Sequence, residues 1–372
     1  MRVLLLPLQL AALFALAHGS GSFIAASDLS YLPFLDCDGH CSPFITGSGA
    51  VGDALLQSKA AGITHIRVRL WVHPIANTTD GWPSNDYTVS NLTNVLAFAR
   101  RIQAAGLSLW LDLHYSDVWA DPGHQIKPVS WATLPFDALS QAVHDHTTEA
   151  LTALNAQGTQ PAIIQIGNEI NAGMLWAKSG EPCASGGYLG TGCKDHNWPA
   201  FAAMVSRGQA VARALTPGAN IMVHTSLGSI LGDSSAQYIV EWYQNLTLFG
   251  AGEFDSIGLS YYPHWGAGST ENVKKLALVL SSLPTKQVFL AETSYPYQGG
   301  PPPAGSQFPF SMEGQLQYTK AILQTSKATG LSGVAWWGGE YFNYSSGAGW
   351  TALWDKTGLP TLALGPGVWN TV

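Results

Sequence analysis

The sequence predicts an α/β fold, a (β/α)8 TIM barrel forming a single domain over residues 21–372. Three observations predict it. Eight short apolar, β-branched runs alternate with helical stretches, the signature of a parallel sheet under helices. Each run ends in polar or aromatic residues, as barrel strands do at their functional face. No low-complexity linker divides the 372 residues, enough for a barrel of typically about 250 residues plus loop insertions.

The chain opens with Met1-Arg2, an apolar run from Val3 to Ala17, and the small residues Gly19, Ser20 and Gly21. This pattern reads as a secretory signal peptide over residues 1–20 and is excluded from the fold. Ser22–Ser27 is the first strand, ending at Asp28. Helical spacing follows around Ala54–Leu56. Thr64–Trp71 is the second strand, whose period of two places Arg67, Arg69 and Trp71 on one face. Asn91–Ala104 is an amphipathic helix. Leu107–Leu113 is the third strand, followed by a helix over Phe136–Leu154. Ile163, Ile164 and Ile166 make a fourth strand too short and too apolar for a surface helix. The second half repeats the rhythm. Its helices are Trp198–Leu215, Ser235–Leu246, Asn272–Ser282 and Glu313–Thr329. Its strands are Asn220–Thr225, Phe254–Tyr261, Gln287–Ala291 and Leu331–Trp337.

The strand ends collect Asp28, then Arg69 and Trp71, then Asp112, His114, Tyr115 and Asp117. Asn168 and Glu169 follow, then His224, Tyr261 with Tyr262, Glu292, and Trp336 with Trp337. Any one of these could be a satisfied core residue or a strand-end cap. Glu169 and Glu292, each closing a buried strand, are together the minimum equipment for glycoside cleavage.

Charged residues make up only 11% of the chain and the net charge is −7. With no Lys/Arg run, nucleic acid is excluded as a partner. After the leader, no apolar run reaches membrane-spanning length without charges or breakers. The sequons at Asn77, Asn91, Asn245 and Asn343 fit a secreted chain. The four cysteines fall into local pairs, Cys37 with Cys41 and Cys183 with Cys193. Neither pair is CxxC, so two local disulfides are expected rather than zinc, although four cysteines allow three pairings.

At these residues the chain resembles glycoside hydrolase family 53, the arabinogalactan endo-β-1,4-galactanases, across essentially all of the mature sequence. Leu111-Asp-Leu-His-Tyr-Ser-Asp-Val-Trp-Ala-Asp-Pro-Gly123 with Gln125 and Lys127 is similar to the family's most specific signature. Ile164–Ile170, Ile66–Trp71, Ile257–Pro263 and Ala291–Thr293 also fit. The chain departs from the family pattern at Ala26-Ser27, at Thr293-Ser-Tyr-Pro296, and at Gly338-Gly339, where Glu-Pro usually follows the eighth-strand Trp.

The resemblance implies a secreted, monomeric, retaining endo-glycosidase acting on β-1,4-galactan, with no cofactor. Glu169 is the acid/base and Glu292 the nucleophile. Retention implies carboxyl groups about 5–5.5 Å apart. Arg69, ranked ahead of the deeper Arg67, and Tyr262 are expected to favour the charged form of Glu292. Asn168 is a candidate for the sugar 2-hydroxyl. Asp112 and His114 are candidates to orient the acid/base. Trp337 is a sugar platform, with Trp119 and Trp71 as further candidates or packing residues. Asp28, Asp117 and His224 complete the supporting set. Gly299–Ser311 lacks acidic ligands, so no calcium site is expected there. The alternatives are a mannanase or endoglucanase on the same barrel, or a non-catalytic galactan-binding barrel. Intact glutamates at both positions weigh against the last.

Overall fold

Alternation along the strands separates two cores. A computed structural model describes residues 22–40, 42–74, 87–177, 197–229, 231–232, 234–266, 268–342 and 347–370. Eight strands close a parallel barrel in sequence order: β1 (Ile24–Asp28), β2 (His65–Leu70), β3 (Ser108–Leu113), β4 (Ile163–Ile166), β5 (Asn220–Thr225), β6 (Ser256–Tyr261), β7 (Gln287–Thr293) and β8 (Gly333–Trp336). Outward residues such as Ile66, Val68, Leu111, Ile164, Val223, Leu259, Val288 and Leu290 join the large core beneath the helices. Inward residues Ala26, Trp110, Ile163, Met222, Phe289, Ala291 and Ala335 form a separate small core that plugs the barrel.

Size alternates across that plug. A Cβ on Gly333 would lie 2.5 Å from the Ile24 carbonyl and 2.8 Å from Phe289, and one on Gly258 would lie 2.7 Å from Met222 Sδ. Glycine at these positions lets the Trp110 and Phe289 rings meet edge to face at 5.9 Å. The plug is the apolar floor on which the polar mouth rests.

The helices lie close to their expected places: Ala54–Ala61, Leu92–Ala104, Phe136–Ala156, Trp198–Leu215, Ser235–Leu248 and Met312–Thr329. Side-chain caps start several of them. Asp53 accepts from Leu56 N–H, Asn91 from Asn94, Asn197 from Ala200 and Ser311 from Gly314. One element differs from expectation. The stretch read as a helix over Asn272–Ser282 is a 3-10 run, Thr270–Leu276, that tightens into the α-helix Ala277–Ser282. After β8 the outer layer is closed by short 3-10 turns at Leu362–Leu364 and Val368–Asn370 rather than by a long helix.

The expected leader segment, Cys41, Cys183, Cys193, Asn77 and Asn343 lie outside the described residues. Cys37 is disulfide-bonded. Asn91 and Asn245 are half-buried, the first capping a helix and the second within one. Among the described residues, no helix is long and apolar enough to cross a membrane.

Candidate active site

Arg67 is the centre of the barrel mouth. It sits inward on β2, 1% exposed, and its fork serves five partners. Nη1 lies 2.9 Å from Asp28 Oδ2 and 2.9 Å from Glu292 Oε1. Nη2 lies 2.8 Å from Asp112 Oδ2 and donates to Asn168 Oδ1 at 2.7 Å. Nε donates to Gln165 Oε1 at 3.1 Å. A planar guanidinium is the side chain suited to so many fixed acceptors.

This corrects the ranking of the two arginines. Arg69, one turn of the pleat higher, does not pair with Glu292. It lies 3.9 Å from Asp28 Oδ1, donates to Tyr341 Oη at 3.0 Å, and stacks 3.9 Å from the Trp119 ring centre. Period two places both arginines inward correctly. It does not reveal that the carboxylates sit at the lower level.

Glu292 reaches the mouth because β7 is bulged. The register runs Leu290 opposite Leu259, then Glu292 opposite Ser260, so Ala291 is the extra residue. Phe289 and Ala291 face the plug. Without the bulge, Glu292 would point outward as Val288 and Leu290 do. With it, Thr293 takes the outward place and bonds the Tyr261 carbonyl and the Tyr318 hydroxyl. Bulges that re-aim a side chain are a recurrent device beside functional sites. Tyr262 completes the Glu292 cradle, its hydroxyl donating to Oε2 at 2.7 Å.

Glu169 is held differently. It is left-handed, at φ 50°, a conformation that costs a non-glycine residue on the order of 1–3 kcal/mol and persists only where neighbours impose it. Gln125 Nε2 helps impose it by donating to the Asn168 carbonyl at 2.7 Å. As a carboxylate, Glu169 accepts from Ser260 Oγ at 2.5 Å.

The two carboxyls are therefore tuned apart. Burial raises Glu292, and Arg67 and the Tyr262 hydrogen bond offset part of that rise. Burial and the charge of Glu292 push Glu169 well above the usual carboxylate range, and the Ser260 hydrogen bond offsets only part of that. Divergent tuning of neighbouring titratable groups marks out acid and base roles.

The other expected residues divide between the mouth and its supports. Asp28 joins Arg67 to the Ser30 backbone N–H and hydroxyl. Asp112 pairs with Arg67 and with His114 Nε2 at 2.8 Å. His114 Nδ1 accepts from Ala120 N–H, and burial lowers its pKa. His224 faces Asn168 and Ser260. Trp337 and Trp119 are half-buried, with ring centres 6.1 Å apart. Trp71 is fully buried against Trp119 and His114 and belongs to the packing. Asp117 lies away from the carboxyls and staples loops, accepting from His73 and Val129 N–H.

Three residues of the site were not anticipated. Ser260 is a small polar residue within the sixth-strand run and carries no signal of its own. Trp265 follows the sixth strand, is 63% exposed and stacks on Tyr262 at 4.1 Å. Glu340 follows Gly338-Gly339, where the family's Glu-Pro is missing. Gly338 turns the chain at φ +69°, and Gly339 passes so close that a Cβ would lie 2.7 Å from Ser27 Oγ. This carries Glu340 into the interior, where it accepts from Tyr31 N–H at 2.8 Å. The unusual residues Ser27 and Gly339 thus form one matched contact.

Burial and Asp28 raise the Glu340 pKa to about 8, against the attraction of Arg69. A raised acid binds its proton more tightly in the folded state, so stability falls as pH climbs from the ordinary glutamate value toward 8. Glu340→Gln is therefore expected to narrow the gap between the melting temperatures at pH 5 and pH 8 by several degrees. An unchanged gap in scanning calorimetry would refute this.

A closed barrel bearing two buried carboxyls, one raised well above the other's range, among aromatic rings is a glycoside hydrolase architecture. The chain belongs to glycosyl hydrolase family 53, whose sequence profile matches residues 24–362. It is 32% identical over 350 residues to the probable arabinogalactan endo-β-1,4-galactanase A of Neosartorya fischeri, covering 90% of this chain and 89% of the relative. The arabinogalactan endo-β-1,4-galactanase of Thermothelomyces thermophilus is 32% identical over 288 residues, 73% of this chain and 77% of its own. One fungal β-1,4-galactanase structure superposes with a TM-score of 0.76 at 26% identity, covering 94% of this chain and 100% of the other. The family 53 catalytic domain of Ignisphaera aggregans gives the same TM-score and identity, over 94% and 96%.

Proposed function

We propose that this chain is a secreted, monomeric endo-β-1,4-galactanase that cleaves the galactan backbone of pectic side chains by retaining double displacement. The observation that carries the mechanism is the asymmetry of the carboxyls. Glu292, in the grip of Arg67 and Tyr262, is the nucleophile that attacks the anomeric carbon. Glu169, kept protonated by burial and by Glu292, is the acid that protonates the departing oxygen and then the base that activates water. The substrate class is that of the galactanase relatives named above. Secretion rests on the leader segment and the sequons.

Trp337 offers one sugar-stacking face and Trp265 a second, more exposed one beside Tyr262. Trp265→Ala should raise KM for the polymer roughly 5- to 30-fold, as about 1–2 kcal/mol of stacking implies. Its kcat should change little. An unaltered KM would remove Trp265 from the binding path.

The test of the function is reducing-sugar release from unbranched β-1,4-galactan, with the first product's anomer followed by proton NMR. The expected result is galactan cleavage with the β-anomer formed first. Cleavage of mannan or cellulose in preference would move the substrate class, and an α-anomer would overturn retention.

A further inference from the structure

Behind Glu169 runs a chain of polar contacts that ends between two amides. Ser260 Oγ lies between Glu169 Oε1 and His224 Nε2, 3.0 Å from the imidazole. His224 Nδ1 lies 2.9 Å from Asn168 Oδ1 and 3.1 Å from Gln165 Nε2. Ser260, His224 and Gln165 have no exposure and Asn168 has 5%. Both amides are oriented by other partners. Asn168 Oδ1 accepts from Arg67 and its Nδ2 donates to the Ala120 carbonyl at 2.7 Å. Gln165 Oε1 accepts from Arg67 and from Trp110 Nε1. His224 Nδ1 therefore faces an acceptor and a donor together, so either neutral tautomer finds a partner.

We propose that Ser260 and His224 are positioning residues that decide which oxygen of Glu169 carries the acid proton. The inference rests on Glu169 being the acid/base. In the empty site the proton sits on Oε1 and is donated to Ser260 Oγ. Ser260 O–H then donates to His224 Nε2, and His224 Nδ1–H donates to Asn168 Oδ1. When substrate draws the proton to Oε2, Ser260 turns its O–H onto Oε1. His224 now donates from Nε2 to Ser260, and Gln165 N–H donates to the bare Nδ1. The same arrangement serves the carboxylate once its proton has left with the departing oxygen. The imidazole holds one proton in both states; because His224 is fully buried, its shift from Nδ1 to Nε2 is completed by bulk water reached through transient local opening.

The surroundings suit a neutral imidazole. Burial, with Arg67 and His114 nearby, holds His224 well below its ordinary range. The charged groups that face Glu169 are Glu292, Asp121 and Arg67, and Tyr262 faces both carboxyls.

The experiment is 15N NMR of histidine-labelled enzyme, with the His224 signals identified by their loss in His224→Gln. Between about pH 4 and pH 9, Nδ1–H should give way to Nε2–H at the midpoint of the alkaline limb of kcat/KM. In Ser260→Ala that coupling should disappear. Its kcat on galactan should fall about 10- to 100-fold, the worth of one hydrogen bond to a charged group. Ser260→Thr, which keeps the hydroxyl, should recover part of the loss. A single tautomer across the range, or a Ser260→Ala enzyme with unchanged kcat and pH profile, overturns the proposal. Retained activity in Glu169→Gln would instead overturn the assignment on which it rests.

Discussion

Glu292→Gln should lose roughly four to six orders of magnitude in kcat on β-1,4-galactan, the scale seen when a nucleophile is removed from a preorganised site. The amide is isosteric, so its oxygen can still accept from Arg67 and the cradle remains filled. Folding should survive. A buried acid with a raised pKa costs stability as pH rises, so its replacement should leave the protein at least as stable at neutral pH.

The variant makes a second, sharper statement. The charge of Glu292 is the largest electrostatic cause of the raised Glu169 pKa after burial. Removing that charge should lower the Glu169 pKa, measurable by 13C NMR of labelled glutamate carboxyls. In the wild-type enzyme a 2-fluoro galactoside with an activated leaving group should trap a covalent adduct on Glu292, seen by mass spectrometry of its peptide. Residual activity within tenfold of wild type, or an adduct on another residue, would end the nucleophile assignment.

How much of this was legible in the sequence depends on what periodicity can carry. Alternation located β2 and β3 and put Arg67, Arg69, Asp112 and His114 on the inner face, where the structure has them. The two glutamates were found because each interrupts an apolar run. The β7 bulge was not legible, because an inserted Ala291 is consistent with either parity. The level at which the carboxylates sit is not legible either: the sequence marks Arg67 as the deeper arginine but not that Glu292 meets it there. Glu340 was hidden by position: it stands after a glycine pair, and only the turn at Gly338 brings it inside. Trp265 carried no local signal, since a Trp in a Pro- and Gly-rich loop reads equally as packing.

Arg67→Met is expected to be the most damaging single change to stability. It leaves Asp28, Asp112 and Glu292 buried around an apolar side chain. Breaking a buried ion pair by deleting one partner costs about 3–5 kcal/mol, and here three carboxylates lose the same cation. The loss should depend on pH with a definite sign. Arg67 is the main influence that lowers the Glu292 pKa. Without it, Glu292 titrates higher in the folded state, so the destabilisation should be smallest near pH 4–5 and grow as pH rises above the unfolded carboxylate range. Activity should fall for the same reason, because the nucleophile is protonated at working pH and the acidic limb of the rate profile moves upward. Arg67→Lys keeps one charge but not the fork, and it cannot reach Gln165, Asn168 and three carboxylates together. It should lie between wild type and Arg67→Met in both melting temperature and kcat. The pairwise part can be isolated with the double variant Arg67→Met/Glu292→Gln, which should be more stable than Arg67→Met alone at pH 8. A destabilisation equal at pH 5 and pH 8, or a double variant no more stable than the single, would mean that Arg67 holds the barrel mouth by packing rather than by charge.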